Sequence, residues 1–274
     1  MQKLIIMVGQ PSVGKSTTVN SMGGDKNNYV ISRNDIVMQV AKENGLSYNE
    51  LFLRPLEETP IGQKEKEREK YGKKIEVYDM ETTEVLYCAF ECIDKLTGPQ
   101  GVVQQRMNQR IKEALNQPKD IIVDMTMLTA NERITMIENI TKDKDITNLS
   151  IEAKIYETKT LRLFEELSEE QVQIKLTKIK NEFTKKIYGP FEHHVKVMEN
   201  RADYLKSIQE DPKEIPPMVL VMMALKYEMP KKEEGFHKIE VIKVDHSKFE
   251  INENNQKRKT SINSSNKNLQ DRTI

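Results

Sequence analysis

The run GQPSVGKST, residues 9–17, follows directly on the apolar segment KLIIMV. Its letters satisfy the pattern G-x-x-x-x-G-K-[ST], with Gly9, Gly14, Lys15 and Ser16 at the fixed places. The pattern has physical meaning in one setting only: a buried strand, a tight loop, then a helix. Leu4 to Val8 read as that strand, a short run of apolar, mostly β-favouring residues, and from Lys15 to about Met22 the chain can continue as a helix. Gly9, Ser12, Val13, Gly14, Lys15, Ser16 and Thr17 would then form a phosphate cradle. Backbone N–H groups converge on phosphate oxygens there, and the helix start adds its positive end. Lys15 reaches the β- and γ-phosphates and the Ser16 hydroxyl ligates Mg²⁺. ATP and Mg²⁺ are the expected ligands.

The rest of the chain alternates strands and helices around this start. Tyr29 to Ser32 read as a second strand ending in Arg33, Asn34 and Asp35, and a helix follows with Gly45 as its C-cap. A charged stretch at 54–74 reads as solvated loop. Glu76 to about Leu115 read as two helices broken by LTGPQG at 96–101. Ile121 to Asp124 form a buried strand that closes on a carboxylate, and Thr129 with Glu132 make a capping-box pattern for the next helix. Ile151, Ala153 and Ile155 alternate along another strand, 160–210 is helical and charged, and 238–244 supplies a last strand. The methionines and aliphatics of 218–229 read as an apolar helix face, and everything after about Ser247 as a disordered polar tail. The alternation predicts an α/β fold, a parallel sheet flanked by helices. Ligands in such sheets sit beyond the carboxyl ends of the strands. That rule places the phosphate loop, Arg33–Asp35 and Asp124–Thr126 on one rim.

Composition narrows the partners. Lysine plus arginine and aspartate plus glutamate number 43 each, so the net charge is zero and any nucleic-acid contact must come from a local patch. No apolar stretch is long enough to span a membrane, and the N-terminal apolar run ends at once in the glycine loop, unlike a signal peptide. Cys88 and Cys92, four apart, read as buried thiols on one helix face and give no disulfide framework. A cytoplasmic protein is expected, with no protein partner identifiable.

Three segments, GQPSVGKST, VISRNDIV and IIVDMTMLTANER, resemble the kinase domain of bacteriophage 5′-hydroxyl polynucleotide kinases. Residues 215–242 are similar to the closing helix and strand of that group. The resemblance covers about 1–40, 118–156 and 213–244. It implies a P-loop kinase domain over 1–246, with largely helical unmatched segments at about 45–115 and 157–212 and a tail at 247–274. It also implies transfer of the ATP γ-phosphate to the 5′-hydroxyl of an RNA or DNA end, in the host cytoplasm if phage-encoded. In that family an Asp after the strand-end Arg takes the proton of the attacking hydroxyl. Here Asn34 follows Arg33, and an amide is no general base, so Asp35 is the expected acceptor. The family's next Arg, three residues on, is replaced by Met38, or by Val37 if the register starts at Asn34. Met127 stands where the family has Asn, and Arg133 matches a lid-type Arg that reaches the phosphates. Arg33, Asn34, Asp124 and Thr126 are the implied substrate side, with Asp124 also a partner for Mg²⁺.

Other features weigh less. His193 and His194 are adjacent on a helix and point to different sides, so they read as ordinary helix residues rather than a metal pair. DKDIT at 143–147 matches a phosphatase motif by letter but lies in a polar loop. Lys175, Lys178, Lys180, Lys185 and Lys186 share their stretch with Glu165, Glu166, Glu169 and Glu170, which cancel much of the field, as on a solvated helical hairpin. A nucleotide or small-molecule kinase, and a nucleotide-binding module with an impaired base, are the alternatives to a polynucleotide kinase.

Overall fold

The computed structural model describes residues 1–48, 51, 73–78, 85–91, 98–208, 210 and 215–248. Five strands form one parallel sheet: β1 (Gln2–Val8), β2 (Asn28–Ile31), β5 (Asp120–Val123), β6 (Leu149–Glu157) and β7 (Lys238–Lys243), in the order β2-β5-β1-β6-β7. Between β2 and β5 in the chain, β3 (Lys73–Tyr78) and β4 (Val85–Glu91) pair separately as an antiparallel ribbon. Helices α1 (Lys15–Ser21), α2 (Gly24–Asn27), α3 (Arg33–Glu43), α4 (Gly98–Glu113) and α5 (Ala130–Thr141) belong to the first half of the fold. The second half adds α6 (Glu169–Phe183), α7 (Glu192–Ser207) and α8 (Pro217–Lys226).

The period of two along β1 sorts its side chains into two cores. Leu4, Ile6 and Val8 join α3, α4 and α5 on one face, while Ile5 and Met7 meet Val13 and Val19 of the loop and α1 on the other. β6 is buried on nearly every residue rather than on one face, because it lies between β1 and β7 with apolar cover on both sides. The expected α/β sheet is the observed fold.

Local signals act as read at several helix ends. Thr129 and Glu132 form the capping box of α5. Gly45, at φ 65°, closes α3 in a Schellman motif: Leu46 N–H donates to Ala41 O and Gly45 N–H to Lys42 O. Three expectations fail. The helix read from Glu76 is the β3–β4 ribbon, so Cys88 lies on a strand, and Cys92 lies outside the described residues. Residues 98–101, read as part of a break, are the first turn of α4, where Pro99 fits because a first turn needs no N–H from it. Finally, 157–212 is more than a solvated hairpin: α6, α7 and α8 close a core of their own around Phe183, Phe191, Val195 and Leu220. The charged stretch at 54–72 and the tail from 249 lie outside the described residues. Among the described residues no helix is long and apolar enough to cross a membrane.

Candidate nucleotide site

The loop between β1 and α1 has the backbone the motif requires. Gly9 has φ 150°, and a Cβ there would stand 3.0 Å from the Tyr156 carbonyl oxygen of β6, so only glycine lets the loop leave the sheet so closely. Gly14 at φ 94° is the N-cap of α1. Gly9 N–H donates to Thr126 O, 3.0 Å, which ties the loop to the segment after β5. That is the place of Thr126: its backbone anchors the loop.

Lys15 is buried at 8% exposure. Its ammonium donates to the carbonyls of Gly9 (2.8 Å) and Gln10 (2.6 Å), so two of its three donors hold the loop around it. Burial lowers its pKa to about 8; the Asp124 carboxylate opposes that shift and the Arg201 guanidinium adds to it. Ser16 Oγ donates to Asp124 Oδ2 at 2.7 Å. The strand order makes this bond: β5 lies directly beside β1, and Val123 is in register with Ile6. With its proton committed to Asp124, the Ser16 hydroxyl can turn lone pairs to a cation. A hard neutral oxygen backed by a carboxylate fits Mg²⁺.

The second strand ends differently from its reading. β2 stops at Ile31, Ser32 is the N-cap accepting from Asp35 N–H (3.3 Å), and Arg33, Asn34 and Asp35 form the first turn of α3. Asp35 is therefore not the cap. Its carboxylate is exposed and has no hydrogen-bond or ion-pair partner among the described residues. Asn34 Oδ1 accepts from the buried Tyr48 hydroxyl at 2.9 Å. β5 separates β2 from β1, so the start of α3 is roughly 10 Å across the rim from the phosphate loop, not beside it. On α3, Val37 is buried at 1% while Met38 is 40% exposed. Only the register that starts at Asp35 puts the third residue on, Met38, where a side chain could meet a ligand.

Arg133 does not have the expected lid role in this arrangement. It is fully buried; Nε and Nη2 make a two-pronged pair with Glu234 (2.6 and 2.8 Å), and Nη1 donates to the carbonyls of Met127 (3.1 Å) and Leu128 (3.0 Å). It fastens α5 and the segment after β5 to the turn at 232–234. Met127 itself is left-handed at φ 45°, a conformation that asparagine adopts more readily. The cost of about 1–2 kcal/mol for a non-glycine there is matched by about 2 kcal/mol from burying its side chain.

Residues that the sequence did not assign to the site hold the outside of the loop. Gln10 is fully buried, donates to Leu220 O of α8 (2.9 Å), and accepts from Thr158 (2.9 Å) and Thr160 (3.2 Å) just after β6. His194 of α7 is not an ordinary helix residue: it is buried, and its Nε2 lies 2.7 Å from Pro11 O. His246, after β7, stacks on it with ring centroids 4.1 Å apart and stands 3.4 Å from Ser12 O. Burial lowers the pKa of both, that of His194 to about 4. Arg201, two turns along α7 from His194, is exposed and forms no ion pair among the described residues.

A family model described as an AAA domain matches residues 4–144, about half of the chain, from β1 through α5. No curated protein matches the chain significantly. The helical unit and both histidines lie beyond the matched span.

Proposed function

The chain belongs to the AAA-domain family of P-loop proteins, and from that premise we propose that it transfers the γ-phosphate of ATP to the 5′-hydroxyl of a nucleic-acid end. The observation that carries a phosphotransferase reading is the Ser16–Asp124 bond beside the Lys15 ammonium, at the ends of two adjacent parallel strands. Lys15 would exchange its loop carbonyls for β- and γ-phosphate oxygens, and Ser16 with Asp124 would hold Mg²⁺. When bound, Mg²⁺ neutralises charge on the phosphate oxygens. Because Arg133 is committed to Glu234, we assign the remaining cationic role toward the phosphates to Arg201, exposed two turns along the helix whose His194 meets the loop.

The acceptor side is supported by the sequence resemblance and by Asp35. Its exposed carboxylate is the group at the start of α3 able to take a hydroxyl proton; Asn34 is an amide already engaged by Tyr48. Incubation with γ-labelled ATP, 5′-hydroxyl RNA or DNA, nucleoside monophosphates, or no acceptor tests the proposal. Label at the oligonucleotide 5′ end, lost in EDTA and restored by Mg²⁺, is the expected result. Label confined to monophosphates would replace it with a nucleotide kinase, and ATP binding without any transfer would leave a binding module.

A further inference from the structure

We propose that His194 and His246 are positioning residues for the nucleotide's phosphates, holding the loop's amides inward by gripping its carbonyls from outside. The inference rests on the nucleotide-binding reading of the loop and deepens it. A trans peptide is planar, with its C=O and N–H on opposite sides. Drawing the Pro11 carbonyl outward to His194 therefore turns the Ser12 N–H toward the loop's interior, and the Ser12 carbonyl facing His246 does the same for the Val13 N–H. Inward N–H groups are what a phosphate-binding loop presents to its anion.

The chemistry of the rings fits a fixed donor. A carbonyl only accepts, so His194 Nε2 carries the proton, and its Nδ1 is buried without a hydrogen-bond partner. An added proton on Nδ1 would be a buried donor with nothing to meet. The surrounding charge agrees. The Lys15 ammonium and the stacked His246 ring act on His194, and on His246 the Asp245 carboxylate acts against His193. His194 is thus held neutral with one defined tautomer. The grip is delivered by segments 183 and 234 residues away in sequence from the carbonyls they hold. Gln10, bonded to α8 and to Thr158 and Thr160, fixes the adjoining residue of the loop.

Calorimetric titration of the full chain with Mg·ATP tests this, using wild type, His194→Phe, His194→Gln and His246→Phe. His194→Phe keeps a ring but loses the donor, and should bind roughly tenfold more weakly. His194→Gln can still offer an N–H to Pro11 and should stay within about threefold of wild type. His246→Phe, which keeps the stack and removes only the longer contact, should lose about threefold. Backbone ¹⁵N order parameters of Ser12 and Val13, measured without nucleotide, should fall in His194→Phe and return in His194→Gln. Equal affinity of His194→Phe and wild type would overturn the proposal, as would equal weakening by Phe and Gln, which marks packing alone. If His194→Phe does not fold, His246→Phe decides: affinity and Val13 order both equal to wild type would overturn the proposal. A wild-type protein that binds no Mg·ATP would overturn the phosphotransferase reading instead, and the order parameters would then decide whether the histidines hold the loop.

Discussion

At Lys15 the ammonium is bonded to two carbonyls of its own loop, so replacement by alanine would strand both as well as remove a charge. Lys15→Met keeps the buried stem and is the better probe. It should lower phosphoryl transfer by at least about 100-fold while circular dichroism stays native. Turnover near the wild-type rate in that variant would remove the kinase reading. Asp35 offers a second contrast. Since Ser32 rather than Asp35 caps α3, Asp35→Ala should leave the melting temperature almost unchanged and cut turnover roughly 100-fold with little change in ATP affinity. Asn34→Asp should be close to neutral; if it alone switches on a silent protein, the base belongs at 34. Gly9, Lys15, Ser16 and Asp124 were legible as candidates because motif and strand end are local patterns. They gave no sign of Gln10, which fills an unspecified place of the motif, or of His194, whose meaning depends on a loop 183 residues distant.

Among the elements, α5 shows how a residue that a sequence likeness singles out can have its bonds far away in the chain. Its start is legible from Thr129 and Glu132, two residues that cap one another. Arg133 beside them pairs with Glu234, 101 residues on, and nothing local announces that. Arg133→Met should leave the Glu234 carboxylate buried without its cation, with the Lys231 N–H as its remaining donor among the described residues, costing about 3–5 kcal/mol. Adding Glu234→Leu should restore much of the loss. Thermal melting of the single and double variants checks this, and a lid role would instead show as lost turnover in a stably folded single variant. The β3–β4 ribbon escaped the sequence reading for a different reason. Short segments of mixed charge and β-branched residues satisfy helical and strand periods about equally. The pairing that decides between them, Lys74 with Phe90 and Glu76 with Cys88, is a property of two segments together. The five parallel strands were legible because β1, β2 and β5 are apolar runs closed by polar residues, while β6 and β7 interleave apolar with polar residues.

For the molecule as a whole, the neutral histidine pair links stability to pH with a definite sign. An unfolded chain takes up a proton on His194 near pH 6.5, whereas the folded chain resists it down to about 4. The contribution is complete above about pH 6.5 and is lost as pH falls from there toward 4, by up to about 3 kcal/mol. His246, also lowered, acts in the same direction. Denaturant unfolding at pH 7.5 and 4.5 should show the decline, and His194→Gln should show a smaller one. The strand order has its own consequence for synthesis. β1 sits at the middle of the sheet, yet β5 and β6, the strands that flank it, are made more than a hundred residues later. At roughly 5–20 residues per second, the apolar run Leu4–Val8 leaves the ribosome many seconds before either neighbour exists. During that interval the centre of the future sheet is an unpaired hydrophobic ribbon, a natural client for a holding chaperone.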